Sequence, residues 1–485
     1  MKEEIVTRFA PSPTGYIHLG NVRSAIYPYL IAKQAGGKFI LRIEDTDQAR
    51  FVEGATELIE ETLSWLGMKW DEGPEVGGEH GPYFQSERRE IYKKWAMKLI
   101  SAGRAYVDDT PEEEIQKYRE ECNARKVPFL YRNFRPEKLK FEWVEGKPIR
   151  FLSDPKRREW KDEVMGELSA GPEVQDDIIL IKKDGLPTYN FAHIVDDAEM
   201  GVTHIVRGVE YLSSMPNYLA IYEALGLPRP KFVSLPHVLA PTGNKKLSKR
   251  DGAKSVTGYR ADGILSEAML NYLCCLGWND GTEQEIYTMD ELVSRFSVEK
   301  IQNSGARFDE TKLLWYSGQW IRKIFDERGV DALYLRTEGF WPEEAEGASE
   351  EYKKQVLSII YDRLRVLGDL KTMTGYFFRD PEIKIEMIEN NKFVKKMSEL
   401  ERALSLRKTA EILGEIEEWN AENIQAGLNR ALEETGRKPA ELFSLVRISL
   451  SFAEFSPALN LTMEVLGRET SLARIRKVIT AISNE

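Results

Sequence analysis

The chain has 485 residues, 42% of them apolar and 30% charged, which describes a folded protein of about two to four domains rather than a disordered one. No apolar run is long enough to cross a bilayer. The three cysteines, Cys122, Cys274 and Cys275, build neither a disulfide framework nor a zinc knuckle, and a net charge of −11 argues against a partner held by nonspecific charge alone.

Residues 4–9 read as a first strand, entered with no basic-then-apolar signal pattern. The two prolines and the glycine of Phe9-Ala10-Pro11-Ser12-Pro13-Thr14-Gly15 break regular structure. A helix is predicted from about Asn21 to Gln34, with Val22, Ala25, Ile26, Tyr29 and Leu30 at helical spacing, a bend at Pro28 and a stop at Gly36-Gly37. Lys38–Glu44 is a second strand. Asp45-Thr46-Asp47 closes it and opens another helix, with Phe51, Leu58 and Ile59 inward. This order suggests a parallel βαβ unit.

Residues 81–190 read as an insertion, with a helix over Glu87–Ala102 (Ile91, Trp95 and Leu99 on one side) and scattered strands such as Ile178–Ile181. The first pattern resumes with a strand at His204–Arg207, a helix at Ser213–Leu225 and a strand at Lys231–Leu235. A basic stretch follows, with Lys245, Lys246, Lys249, Arg250 and Lys254 opposed only by Asp251. Beyond 321 the pattern is almost wholly helical. Pro439 suits a first helical turn, and Leu472, Ile475, Val478, Ile479 and Ile482 form one apolar face.

Two loops are suited to phosphates. Gly20, before a helix N-terminus, lets a ligand approach free backbone N–H groups, and His18 adds a donor. Far downstream, Lys246-Leu247-Ser248-Lys249-Arg250 offers mobile ammonium groups for charge developing on a leaving pyrophosphate. Neither a P-loop nor a spaced GxGxxG occurs. Arg8, Glu44 and Arg207 stand at predicted strand ends, where open α/β sheets bind ligands.

Taken whole, Arg8-Phe-Ala-Pro-Ser-Pro-Thr-Gly-Tyr-Ile-His18-Leu-Gly20-Asn21 resembles the first signature of the class I aminoacyl-tRNA synthetases in their glutamate and glutamine branch, with Asn21 at the last histidine of the pattern. Lys246–Arg250 resembles the second, with Leu247 for methionine, and Asp251-Gly252 continues the likeness to glutamyl enzymes. The helical C-terminal half resembles the bacterial glutamyl type; glutaminyl relatives carry β-barrels there.

The resemblance implies an α/β fold: a Rossmann-like catalytic domain over 1–80 and 191–239, an acceptor-end insertion over 81–190, a stem-contact domain over 240–320 and a helical anticodon-binding region over 321–485, in two subdomains. It implies ATP contacts by His18, Gly20, Asn21, Lys246, Ser248 and Lys249. A glutamate pocket would be made by Arg8 on the side-chain carboxylate, Ser12 and Glu44 around the ammonium, Tyr189 and His193 on the wall, and Arg207 near the α-carboxylate. Position 193 is often asparagine in the family, position 209 usually glutamate rather than Val209, and position 211 often tryptophan rather than Tyr211. Mg²⁺ is implied only with ATP. No protein metal site and no structural zinc are implied, because Cys122 is the insertion's one cysteine.

The implied activity is ATP-dependent joining of L-glutamate to the terminal adenosine of tRNA(Glu) by way of glutamyl-adenylate, in a cytoplasmic monomer without membrane contact. The alternative is a chain that charges both tRNAs or tRNA(Gln) alone, feeding an amidotransferase. A nucleotidyltransferase that glutamylates a modified tRNA base would lack the helical half. A catalytically inactive RNA-binding scaffold is opposed by His18, Lys246 and Lys249. Among C-terminal cations, Arg447, Arg474 and Arg476 are candidates for RNA contact.

Overall fold

The computed structural model describes residues 4–15, 17–248, 254–453 and 456–483. It contains two compact units, one formed by residues 1–258 and 269–310, the other by 259–268 and 311–485.

The first unit is built on a six-stranded sheet. Strand β1 (Val6–Phe9) is buried along its whole length, the mark of a strand covered on both faces. Helix α1 (Leu19–Ala35) follows, and then β2 (Lys38–Leu41), which pairs with β1 in parallel, Arg8 opposite Ile40. Helix α1 runs through Pro28 and ends at Gly36, whose φ of 65° is the left-handed conformation glycine adopts without strain. The Thr7 hydroxyl donates to the Pro28 carbonyl at 2.8 Å and ties β1 to α1.

After β2 the chain departs from expectation. A single 3₁₀ turn, Gln48–Arg50, precedes helix α2 (Ala55–Trp65), which starts after Gly54. Asp45 opens no helix; its carboxylate accepts from the Ser86 backbone N–H and hydroxyl. Phe51 therefore precedes α2 and is 45% exposed, while Ile59 is buried.

Helix α3 (Arg89–Ser101) places Trp95 and Leu99 in the core, with Ile91 packed against it. Strand β3 (Ala105–Val107), helix α4 (Glu112–Ala124) and strand β4 (Ile149–Phe151) come next. A hairpin of β5 (Arg158–Asp162) and β6 (Gly166–Ala170) precedes β7 (Ile179–Ile181). Strands β3, β4 and β7 make an antiparallel sheet of their own, whereas the hairpin extends the large sheet. Helix α5 (Tyr189–Glu199), β8 (His204–Gly208), α6 (Met215–Leu225) and β9 (Lys231–Leu235) then complete the large sheet. Its order is β2-β1-β8-β9-β5-β6, parallel throughout except for the β5–β6 hairpin.

Strand β10 (Val238–Leu239) continues from β9 and pairs in parallel with β11 (Ala306–Arg307). On its other side Leu239 bridges to Lys246 in antiparallel fashion. The Ala240 N–H donates to the Lys245 carbonyl, and the Leu247 N–H to that of Val238. The turn carrying Lys246 is thus a short hairpin arm rather than a slack loop.

The second unit is helical, and among its described residues it holds no strand. One apolar cluster joins Leu406, Leu413, Leu428, Leu445, Ile475 and Val478. Helix Glu399–Gly414 starts with a reciprocal capping box between Ser398 and Glu401. Pro439 occupies the first turn of Pro439–Ser451, where its missing N–H costs nothing. Arg474 is no RNA ligand: its side chain is 5% exposed and donates to Asp380 and to the carbonyls of Leu450, Tyr376 and Arg379. Arg476 is exposed.

No described helix is long and apolar enough to cross a membrane. Among the described residues no group of three or more His, Cys, Asp or Glu side chains is placed to hold a metal ion.

Candidate functional site

A cavity of about 300 Å³ opens at the C-terminal ends of β1, β8 and β9, where parallel sheets present their ligands. The segment after β1 runs along one rim. Prolines cannot donate but can accept, and the carbonyls of Pro11 and Pro13 take the N–H groups of Glu44 and Val52 at 2.9 and 3.0 Å. Glu44 thus lies past the end of β2, turned into the site by this pairing.

Most of the residues expected here meet at this cavity. Arg8, Ser12, Gly20, Asn21, Glu44, Tyr189, Arg207 and Lys246 all line it. His18 is exposed just before α1, its carbonyl accepting from the N–H groups of Asn21 and Val22. It is not among the lining residues, nor is the exposed Ser248. Lys249 lies outside the described residues. At Gly20 an added Cβ would meet no protein atom within 4 Å, so the first turn of α1 faces open space.

The cationic ends of the site are buried arginines. Arg8 is 4% exposed and Arg207 is 7% exposed. Arg8 Nε donates to Asp197 Oδ1 at 3.0 Å, and its Nη1 donates to the Val206 carbonyl at 3.2 Å. Arg207 lies over the rings of Tyr218 and Tyr211, 5.0 and 5.4 Å from their centroids.

His193 is buried and stands behind this wall rather than in it. Its ring stacks on Tyr189 at 4.8 Å. Its Nδ1 lies 2.8 Å from the Tyr189 carbonyl, which can only accept, so Nδ1 carries the proton and Nε2 faces Arg207 Nη1 as acceptor at 3.5 Å. Burial and the Arg207 charge push this imidazole down to about 3, leaving it neutral at physiological pH.

The anionic end is Glu44. Burial raises its carboxyl, opposed by Arg42 and Arg8, and the balance leaves it at about 7. A cation arriving beside it would favour the charged form. Burial also raises the Asp197 carboxyl, but Arg8 and Arg42 outweigh it and hold the group well below the usual carboxylate range.

Lys246 Nζ meets Glu210 Oε1 at 2.9 Å, and His237 Nδ1 lies 3.7 Å from Oε2 of the same carboxylate. Glu210 and His237 line the cavity too, and neither was expected from the motifs. Arg23, 2% exposed, reaches from α1 to the Pro236 carbonyl at 2.8 Å and joins the first loop's helix to the root of the lysine arm.

The charges behind the site also escaped motif reading. Arg42, Asp196, Asp197 and Arg88 are all buried, with Arg88 and Gln85 both bound to Asp196. One signal was available. In Leu41-Arg42-Ile43-Glu44 charged and apolar residues alternate, and that period of two sets Arg42 and Glu44 on one face.

The family model described as the catalytic domain of class I tRNA synthetases (E and Q) matches residues 4–315, and one described as an anticodon binding domain matches 331–479. A glutamate–tRNA ligase of Clostridium novyi is 40% identical over 483 residues, covering 98% of this chain and 97% of that protein. One of Sulfurihydrogenibium is 39% identical over 487 residues, covering 97% of this chain and 98% of its own. Among solved structures, a glutamate tRNA ligase of Elizabethkingia meningosepticum in complex with its amino acid superposes with a TM-score of 0.88 at 34% identity, over 99% of this chain and all of that one. A match this long, on a chain where Arg8, Gly20 and Asn21 of the first signature and Lys246 of the second line one cavity, places the protein in the class I tRNA synthetase family of the glutamate and glutamine type.

Proposed function

We propose that the protein attaches L-glutamate to the 3′-terminal adenosine of tRNA(Glu), using ATP. One observation carries the reading: a single cavity gathers the buried Arg8, Arg207 and Glu44 beside the open first turn of α1 and the Lys246 arm. Glutamate carries two carboxylates and one ammonium, and this charge pattern is their complement.

Arg8 takes the side-chain carboxylate, Arg207 the α-carboxylate, and Glu44 with Ser12 the ammonium. Tyr189 walls the pocket, and His193, through its neutral ring, keeps Tyr189 and Arg207 in place. ATP lays its phosphates over Gly20 and Asn21, with His18, Lys246, Ser248 and Lys249 on the triphosphate, and Mg²⁺ arrives as part of the nucleotide.

In the first step a glutamate α-carboxylate oxygen attacks the α-phosphorus, and the bond to pyrophosphate breaks. In the second a terminal ribose hydroxyl attacks the activated carbonyl, losing its proton as the bond to AMP breaks. No side chain needs to become a covalent nucleophile, because the substrate carboxylate already is one. Orientation and charge stabilisation supply the catalysis.

Residues 81–190 receive the acceptor end of the tRNA, 240–320 its stem and 321–485 its anticodon. The enzyme works as a monomer in the cytoplasm.

ATP–pyrophosphate exchange, run with glutamate and tRNA present, tests the chemistry. Aminoacylation of purified tRNA(Glu) and tRNA(Gln) tests the partner. Charging of tRNA(Glu) alone is the expected result. Equal or exclusive charging of tRNA(Gln) would replace this reading with the one that feeds an amidotransferase, and a folded protein without exchange would leave an RNA-binding scaffold.

A further inference from the structure

Four buried side chains of alternating charge run in a row behind the cavity. Asp197 Oδ1 accepts from Arg8 Nε at 3.0 Å and from Arg42 Nη1 at 2.7 Å, and Arg42 Nη2 donates to Glu44 Oε1 at 3.1 Å. Their side chains are between 0% and 6% exposed. Only the two ends of the row, Arg8 and Glu44, reach the cavity; Asp197 and Arg42 have no face on it.

Such a row is a costly way to fill a core, because apolar side chains of like volume often stabilise as well or better. It does something they cannot. One carboxylate oxygen shared by two guanidinium groups ties them to each other, and the fork of Arg42 spans two acceptors at once. With Nε on Asp197 and Nη1 on the Val206 carbonyl, Arg8 cannot swing without breaking buried charge-assisted bonds. Glu44 is fixed in turn by Arg42 and by the backbone pairing of its own N–H with Pro11. The cation and the anion at the two ends of the site are therefore held on one rigid chain, not placed independently.

We propose that Asp197 and Arg42 are positioning residues for amino-acid selection. They hold Arg8 and Glu44 at the one separation that fits an amino acid with the length and charge of glutamate, so that a shorter acid or an uncharged amide is refused. The proposal rests on the reading of Arg8 and Glu44 given above. Neither Asp197 nor Arg42 touches substrate; each acts through its neighbour.

The test is ATP–pyrophosphate exchange with tRNA present, comparing glutamate, aspartate and glutamine for the wild type, Asp197→Asn and Arg42→Lys. Asp197→Asn keeps the volume and removes the charge that aligns both arginines; Arg42→Lys keeps the charge and removes the fork. In each, KM for glutamate is expected to rise by about tenfold or more, as for loss of one buried charge-assisted bond. Preference for glutamate over aspartate and glutamine should fall by a similar factor, while KM for ATP stays unchanged. Circular dichroism and thermal melting monitor the fold, and if one variant unfolds the other decides. A parallel rise in both KM values, unchanged discrimination, or loss of the fold in both variants would make the row merely structural and overturn the proposal. Wild-type protein without glutamate-dependent exchange would sink the reading of the reaction and the proposal with it. Normal wild-type exchange beside unmoved variants would sink the proposal alone.

Discussion

Gly20→Ala separates a ligand requirement from a folding requirement. Gly20 is the second residue of α1, and an added methyl meets no protein atom within 4 Å. Alanine is the better helix former by about 0.5–1 kcal/mol in a helix interior, so at this end position stability should hold or rise slightly. If ATP phosphates approach the α1 N-terminus, the same methyl occupies the space they need. Losing one hydrogen bond from a backbone N–H to a charged oxygen costs about 1.5–3 kcal/mol, or roughly ten- to a hundredfold in affinity. Thermal melting reads the first effect, and the ATP dependence of pyrophosphate exchange reads the second. A variant with unchanged melting and unchanged KM for ATP would show that phosphates do not bind at this turn, and the argument from the first loop would fall.

Lys246→Ala should slow adenylate formation in pre-steady-state measurements and leave glutamate binding intact. Its ion pair with Glu210 is exposed, so less than about 1 kcal/mol of stability should be lost. Arg8→Gln should weaken use of glutamate and narrow its advantage over glutamine in exchange assays; unchanged kinetics for both would refute the role of Arg8. Because burial raises the Glu44 carboxyl to about 7, ammonium binding should strengthen as pH rises through 7, seen as a falling KM for glutamate between about pH 6 and 8. The stability sign is opposite: with the folded value above the unfolded one, the Glu44 contribution is fully present below about pH 4.5 and is lost as pH rises through 7. In the helical unit, Arg474→Ala strands the carbonyls of Leu450, Tyr376 and Arg379 and should cost about 3 kcal/mol in denaturant unfolding.

Local signals carried much of the architecture. The strand at Lys231–Leu235 is readable from its apolar run, the end of α1 from Gly36, and the helical character of the C-terminal half from periodicity and from the placement of Pro439. Phe51 was misplaced because Asp45-Thr46-Asp47 has helix-starting chemistry, yet Asp45 spends it on Ser86, a partner no local pattern reveals. Arg474 resembles any solvated helical arginine until the carbonyls it serves are known.

The amino-acid string by itself determined which residue types were available to the site, because arginine, glycine and lysine act through chemistry that each carries with it. It could not say how that chemistry is tuned. The partner of Arg8 is Asp197, 189 positions away, and Arg42 lies between Asp197 and Glu44 only because its N–H continues the pairing with β1 at the Phe9 carbonyl and α5 carries Asp197 to it. The raised carboxyl of Glu44 and the neutral ring of His193 likewise exist only in the folded chain. Desolvation and Coulomb interaction depend on what surrounds a group in space, and that surrounding is made by contacts between segments far apart in the sequence.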